Sequence, residues 1–160
     1  MILYVNGNEH CAGAGAVVDM VHAEDDINLW WMGQTAHPSN LNVSFGNYLR
    51  QVLKARYINQ AHAGHTNSSI IEETKKFLET NSVREQIVAI FGMPENDAEQ
   101  LKEFGSFLKS KNVKHIIYPH EDYVEWLTKK KFTPDAHGYF GRDAHAAWAG
   151  YLVKPLTTIL

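Results

Sequence analysis

The stretch Gln86-Ile87-Val88-Ala89-Ile90-Phe91, which stops at Gly92, decides the fold. It is a short, continuous apolar run without alternation, and such a run is typical of a strand buried on both faces of a parallel sheet. The run Ile2-Leu3-Tyr4-Val5, closed by the turn residues Asn6-Gly7-Asn8, has the same character. Residues 113–118 form a third run of this kind, and residues 57–59 predict a further short strand.

Segments with helical spacing or helix-capping residues lie between these strands. They are predicted over residues 45–55, from Thr66 or Asn67 to 79, from Asn96 or Asp97 to beyond 108, and over 122–130 and 142–152, and residues 11–22 can open another helix. Residues 25–42 have no clean period and predict a long ordered loop. Alternating strands and helices predict an α/β fold. We expect one domain over residues 1–160, a three-layer α/β/α sandwich with a mostly parallel, flavodoxin-like sheet of about five strands.

Composition excludes several classes of protein. The chain has 160 residues, 44% of them hydrophobic, which is enough for a core. The formal charge is −3 and no basic cluster is denser than Lys129-Lys130-Lys131, so no nucleic-acid partner is expected. The single cysteine, Cys11, excludes an internal disulfide framework and a cysteine-rich zinc site. No run reaches the roughly 18 apolar residues of a membrane span, and the start lacks a basic signal-peptide region. We therefore expect a soluble protein made in the cytoplasm.

Histidines concentrate around the predicted loops. Seven of the nine lie in or next to loops: His10, His37, His62, His65, His120, His137 and His145. Ligands of parallel α/β sheets bind beyond the carboxyl ends of the strands, where several of these loops meet. The histidines therefore suggest a polar site there. The alternative, that each caps a helix or bonds a backbone carbonyl, stays open.

The order of several short motifs resembles that of the SGNH (GDSL-like) hydrolases, especially the small members encoded by bacteriophages. The motifs are Gly7-Asn8-Glu9-His10 after the first strand, Ala63-Gly64-His65-Thr66-Asn67, the strand that ends at Gly92, and Asp135 to His145 before the last helix. Further similar segments are Ala36-His37-Pro38-Ser39-Asn40, Ser44-Phe45-Gly46 with Leu49, and Phe140-Gly141 followed by Ala144-His145 and Trp148-Ala149. The resemblance covers nearly the whole chain.

The resemblance implies a serine nucleophile in the first loop, an Asp–His pair near the C-terminus and an oxyanion hole that includes a Gly and an Asn. Gly64 and Asn67 match the oxyanion positions, and Asn96 is an alternative match for the family asparagine. The nucleophile position, however, holds Glu9, and Tyr139 stands where the catalytic histidine aligns. His137 follows Asp135 by two residues, whereas the family spacing is three.

Two functions follow from this pattern, and enzymatic activity stays open. The first is a non-catalytic binding or virion-structural module, whose partners are other phage structural proteins or a small ester or carbohydrate ligand. The second is an active esterase or acylhydrolase with a rearranged site, in which Glu9 acts as a general base on water. Its candidate catalytic residues are Glu9, His10, Asp135 and His137, and the candidate ligand-binding residues are Asn8, Gly64, His65, Asn67, Tyr139 and His145. No cofactor or metal is expected.

Three further patterns give weaker indications of function. A metal site is the alternative reading of the polar loops, with candidate ligands His10, His62, His65, His137, Glu9 and Asp135. No Cys–His nucleophile pair is expected, because Cys11 directly follows His10 and adjacent loop residues rarely face each other. The apolar trio Trp30-Trp31-Met32 is interpreted as the anchor of a long loop, with an exposed contact surface as the alternative.

Overall fold

Four parallel strands form the sheet in the computed structural model, which describes residues 1–16, 38–81, 85–136 and 138–160. The strands are β1 (Ile2–Gly7), β2 (Arg56–Asn59), β3 (Ile87–Met93) and β4 (Lys114–Pro119), in the spatial order β2-β1-β3-β4. The predicted α/β class and parallel sheet are confirmed. The described residues contain four strands, where about five were expected.

Alternation along the central strands builds two cores. Leu3 and Val5 of β1 face one core, whereas Ile2 and Tyr4 face the other. All residues of β1 and β3 are buried, as the continuous apolar runs predict. In the sheet register, Ile2 lies opposite both Arg56 of β2 and Ile87 of β3, so β1 is a central strand.

Six helices lie in the described residues. They are α1 (Pro38–Asn42), α2 (Phe45–Leu53), α3 (Asn67–Thr80), α4 (Ala98–Ser110), α5 (His120–Lys129) and α6 (Arg142–Ile159). Side chains of α2, α5 and α6 pack in the core that contains Leu3, and side chains of α3 and α4 pack in the core that contains Tyr4. The predicted three layers are therefore present.

Two predicted caps begin the helices of the Tyr4 side. The Thr66 side chain accepts a hydrogen bond from the Ser69 amide, at 3.2 Å, and the Ser69 side chain accepts one from the Thr66 amide in return. Asp97 accepts from the amide of Gln100, at 3.0 Å. Both contacts satisfy amides that a helix N-terminus leaves unpaired, so the sequence signal and the boundary agree.

Three local predictions need correction. Residues 38–42 of the expected long loop form α1, and residues 11–16 of a possible helix form consecutive turns. The last helix was expected to end at Leu152 but continues through Pro155 to Ile159. Because Pro155 removes only one backbone donor while Leu156 beyond it is fully buried, packing maintains the helix. His37 and the trio at 30–32 lie outside the described residues. No helix of the described residues is long and apolar enough to cross a membrane.

Candidate functional site

The carboxyl ends of β1 and β3 form the switch point of the sheet. The chain moves from β1 to β2 on one side, while β3 and β4 extend the sheet on the other side. The loops that follow adjacent strands of opposite winding leave a crevice between them, which is the usual ligand position in open α/β sheets. Asn8, Glu9 and His10 directly follow β1 and therefore lie at this point.

His10 turns inward from this edge. Its side chain is buried, and its Nδ1 donates to the side-chain oxygen of Asn8, which is itself buried. Its Nε2 lies 2.9 Å from the hydroxyl of Tyr118, and Nδ1 of His120 lies 3.1 Å from Nδ1 of His10. The ring also stacks on Tyr123, with 4.3 Å between centroids. We call His10, Tyr118, His120 and Tyr123 the inner histidine group.

Electrostatics keeps this group uncharged. Burial, and then the neighbouring rings of His120 and His145, hold the pKa of His10 well below its usual value. Burial also lowers the pKa of His120 and raises that of Tyr118. A neutral His10 can donate from Nδ1 and accept the Tyr118 proton at Nε2, so both ring nitrogens are used inside the fold.

Cys11 faces His10 despite the expectation that adjacent loop residues point apart. The Sγ atom lies 3.4 Å from Nε2 of His10 and 3.7 Å from the Tyr118 hydroxyl. Room for this contact comes from Gly92 of β3, where a Cβ would lie 2.4 Å from the sulfur and 2.6 Å from Cε1 of His10. However, Cys11 is fully buried, and burial raises the pKa of its thiol to about 12. The pair therefore has the contact of a nucleophilic dyad without a thiolate at neutral pH.

Glu9 lies at the rim of the inner histidine group. Its side chain is partly exposed, and its charge acts on two neighbours: it opposes the lowering of the His120 pKa by burial, and it adds to the raising of the Tyr139 pKa by burial. His120 also lines an open groove of about 660 Å³ at the carboxyl ends of β3 and β4, with Asn96 and Glu121. The rim thus combines a carboxylate with an imidazole and a phenol.

Asp135 organises the loop that carries Tyr139. Its Oδ1 accepts from the Tyr139 amide at 2.9 Å, and its own amide donates to the Tyr139 carbonyl at 2.8 Å. This pair of contacts closes a tight turn between Asp135 and Tyr139, and the Tyr139 side chain is half-buried. His137 lies outside the described residues, so its predicted catalytic role stays a prediction.

His145 is fully buried beside the inner histidine group. Its Nδ1 accepts from the amide of Phe45, at 3.3 Å, which is the first residue of α2. Burial lowers the pKa of His145 to about 4, although the Ala14 carbonyl acts in the opposite direction. In this structure His145 therefore satisfies a helix N-terminus, the role that the cautious interpretation of the loop histidines gives it.

A second set of histidines lies on the β2 side of the same edge. His65 is buried, with Nδ1 2.9 Å from the carbonyl oxygen of Gly7 and Nε2 3.2 Å from Oε1 of Glu73. Nε2 of His62 lies 3.7 Å from the same carboxylate oxygen. We call His62, His65 and Glu73 the outer histidine group. Of the described His, Cys, Asp and Glu side chains, these three form the group that can hold a metal ion.

The predicted oxyanion residues have separate environments. Asn67 is fully buried, and its side-chain amide donates to the Glu95 carbonyl at 2.9 Å and to Oε1 of Gln100 at 3.0 Å. Its two donor hydrogens therefore tie α3 to the loop after β3 and to α4. Gly64 occupies a turn with φ of +78° between the two histidines of the outer group.

The structure thus brings Asn8, Glu9 and His10 to one edge with His65, but their contacts divide them. Among the described residues, no hydrogen bond joins the inner histidine group to the outer one. Sequence reasoning missed His120 and Glu73 as site residues. His120 directly follows a strand, and Glu73 lies three residues after the buried Ile70 on α3, so strand ends and helical spacing were the available signals.

Comparison with solved structures supports this architecture. A protein from Desulfitobacterium hafniense DCB-2, assigned to the lipolytic G-D-S-L family, superposes with a TM-score of 0.55 at 11% sequence identity, and the match covers 99% of each chain. No family model and no curated protein sequence matches the chain. At this identity the likeness shows the fold alone: the chain has a GDSL-like hydrolase fold.

Proposed function

We propose that this protein is a GDSL-like fold domain without serine-type acyl transfer, and that it binds a small polar ligand at the rim formed by Glu9, His120 and Tyr139. One observation carries the proposal. The residue after β1 that would hold a hydroxyl nucleophile is Glu9, and the histidine beside it is buried with both nitrogens bonded inside the fold.

The nucleophiles near this edge support a non-catalytic role. Residues 8–16 contain neither Ser nor Thr. The Cys11 thiol is buried and protonated at neutral pH because its pKa lies at about 12. Ser44, the serine beside this loop, donates its hydroxyl to the Leu41 carbonyl at 2.8 Å. A serine or cysteine nucleophile needs an adjacent base and access to substrate, and these groups lack the second requirement.

The chemistry of the rim favours a neutral, hydroxyl-rich ligand. Glu9 is an acceptor for hydroxyl protons, and His120, held neutral by burial, offers both a donor and an acceptor. Tyr139 adds a half-buried aromatic ring and a phenol, whose pKa burial and the charges of Glu9 and Asp135 raise. Carboxylates repel anions, so a carbohydrate or a neutral ester of one fits this rim better than a phosphate does.

A hydrolase with a rearranged site is the second candidate. It is favoured by the electrostatic interaction between Glu9 and His120, since a carboxylate and an imidazole can together activate a water molecule. In that scheme Glu9, His10, Asp135 and His137 share the acid–base chemistry. It ranks second because His10 is bonded to Tyr118 and buried.

The resemblance to small phage-encoded proteins extends the first proposal to its partners. A non-catalytic carbohydrate-binding domain of phage origin would work on a virion, next to other phage structural proteins. This extension depends on the sequence motifs alone.

Two measurements together test the proposal. Wild type should not react with a fluorophosphonate probe and should not turn over p-nitrophenyl acetate above background. In ¹H–¹⁵N NMR titrations with a panel of neutral sugars, shifts should cluster at Glu9, His120 and Tyr139, and Glu9→Gln should weaken the response. Turnover that Glu9→Gln abolishes would establish the hydrolase instead. Shifts spread evenly over the surface would remove the binding site from the rim.

A further inference from the structure

The outer histidine group brings three donor atoms to one point. One ligand atom from each of His62, His65 and Glu73 lies within 4.8 Å of the other two. Nε2 of each imidazole is paired with Oε1 of Glu73. The two nitrogen–oxygen distances are 3.7 and 3.2 Å. Ligands bound about 2.0–2.1 Å from a tetrahedral zinc ion lie about 3.4 Å apart, so these atoms already have nearly the spacing that such an ion requires.

Both imidazoles present the nitrogen that a metal needs. Nδ1 of His62 lies 2.9 Å from the Ala63 carbonyl oxygen, and Nδ1 of His65 lies 2.9 Å from the Gly7 carbonyl oxygen. Carbonyl oxygens only accept hydrogen bonds, so each Nδ1 carries a proton and each Nε2 of a neutral ring has its lone pair free. Metal-binding histidines in proteins are oriented by such contacts at the other ring nitrogen.

Local structure holds the three residues in this arrangement. His62 and His65 are separated by a turn at Gly64, whose φ of +78° is readily adopted by glycine. Glu73 lies on α3, three residues after Ile70 and four before Phe77, and both of these side chains are buried in the core. The helix face that packs against β1 therefore also directs Glu73 toward the two rings.

We propose that His62, His65 and Glu73 form a binding site for a divalent transition metal of the zinc class. Two imidazoles and one carboxylate suit such ions, whereas Mg²⁺ and Ca²⁺ prefer sets of oxygen ligands. Three protein ligands leave a fourth position for water or an exogenous ligand, as open zinc sites do. The side chains of His62 and Glu73 are 22% and 39% exposed, so solvent reaches that position.

A simple ion pair is the competing account of the same contacts. The short contact between His65 and Glu73 needs one proton between Nε2 and Oε1, and a metal ion would replace that proton. An ion pair needs only one imidazole beside Glu73, and because His65 is the nearer of the two, this account does not require His62. A metal site needs all three residues, and this difference makes the two accounts separable.

The test is calorimetric titration of metal-stripped protein with Zn²⁺, with Mg²⁺ as the comparison ion. Wild type should bind one equivalent of Zn²⁺ and show no heat with Mg²⁺. Glu73→Gln and His62→Asn should each weaken binding by at least about 100-fold, since loss of a mere outer-shell partner already costs about 10–100-fold. Replacing zinc by Co²⁺ should give the visible absorption of a four-coordinate cobalt site in wild type.

Matched controls decide whether the site is specific. Glu72→Gln removes an exposed carboxylate one residue away, which pairs with Lys76, and should bind zinc as wild type does. His115→Asn removes a half-buried histidine whose Nδ1 also bonds a carbonyl, that of Val113 at 2.9 Å, and should likewise leave binding unchanged.

Circular dichroism of each variant verifies the fold. Absence of one-equivalent binding, or equal loss in Glu73→Gln and its control, would overturn the proposal. Weakening by Glu73→Gln but not by His62→Asn would overturn the three-ligand site as well.

Discussion

The inner and outer histidine groups occupy the same edge of the sheet but have opposite surroundings. His10 is enclosed by Tyr118 and Tyr123, and burial dominates its pKa. His65 is also buried, yet it contacts Glu73 and the Gly7 carbonyl, and both of these oppose the effect of burial on its pKa. Its partners, more than its position in the fold, therefore decide what a histidine at a strand end can do. The inner group is built into the core, whereas the outer group has donor atoms to offer.

The largest expected effect is the loss of fold stability caused by a substitution in the inner histidine group. Replacing His10 by Ala leaves a cavity and deprives the buried Tyr118 hydroxyl and Asn8 side chain of a partner. The two losses together should lower the free energy of unfolding by about 3 kcal/mol. His62→Ala, at a partly exposed site, should cost less than about 1 kcal/mol. Urea denaturation of both variants measures this contrast, and equal losses would contradict the division into two groups.

Acid should destabilise the protein through its buried histidines. The pKa of His145 is lowered from 6.5 to about 4, so the folded state favours the neutral ring while the unfolded chain binds a proton more readily. The resulting stability is fully present above about pH 6.5 and is lost as the pH falls toward 4, by about 2–3 kcal/mol. His10 shifts in the same direction.

A variant isolates this effect from carboxylate titration. His145→Gln keeps an acceptor for the Phe45 amide but cannot take up a proton. Between pH 7 and 4.5 its free energy of unfolding, measured by urea denaturation, should fall by about 2 kcal/mol less than that of wild type. Parallel pH curves for the two proteins would show that His145 titrates normally.

Alanine substitutions at two glycines should have smaller effects on stability, and their causes can be compared as a pair. Gly92→Ala places a methyl group 2.4 Å from the Cys11 sulfur, beside the inner histidine group, and the overpacking should cost about 1–3 kcal/mol. Gly64→Ala meets nothing within 4 Å, so its cost of about 1 kcal/mol comes only from the positive φ. Adding Cys11→Ala should rescue part of the first loss and none of the second. Thermal unfolding of six proteins tests this: wild type, the three single variants and the two double variants. Rescue of both glycine variants would reveal a general effect of Cys11→Ala.

The central strands and the helix caps were predictable because their signals are local. A continuous apolar run such as 86–91 has few alternative structures, and the cap at Thr66 depends on neighbouring residues alone. The two histidine groups were not predictable, because they depend on contacts distant in sequence. His10 meets Tyr118, which is 108 residues away, and His65 meets the backbone of Gly7.

The Cys11–His10 contact shows a second kind of failure. Adjacent residues of a loop rarely face each other, and here they do because Gly92 on the neighbouring strand leaves space for both. Likewise, Pro155 normally ends a helix, but the buried Leu156 beyond it keeps α6 continuous. In both cases tertiary packing overrides a local rule that usually holds. The sequence of either segment alone does not indicate this packing.

The smallest expected effect on stability is that of a substitution in the outer histidine group of metal-stripped protein. Glu73 is 39% exposed, so its contact with His65 is screened by solvent, and Glu73→Gln in metal-stripped protein should change the free energy of unfolding by less than about 1 kcal/mol. Urea denaturation with a chelator present measures it, with Glu72→Gln as the exposed reference. A loss above about 2 kcal/mol would mean that Glu73 and His65 form a structural pair like the contacts of His10. A small loss would instead show that the carboxylate is held near the two rings without being needed by the fold, which is the difference in construction that separates the two groups.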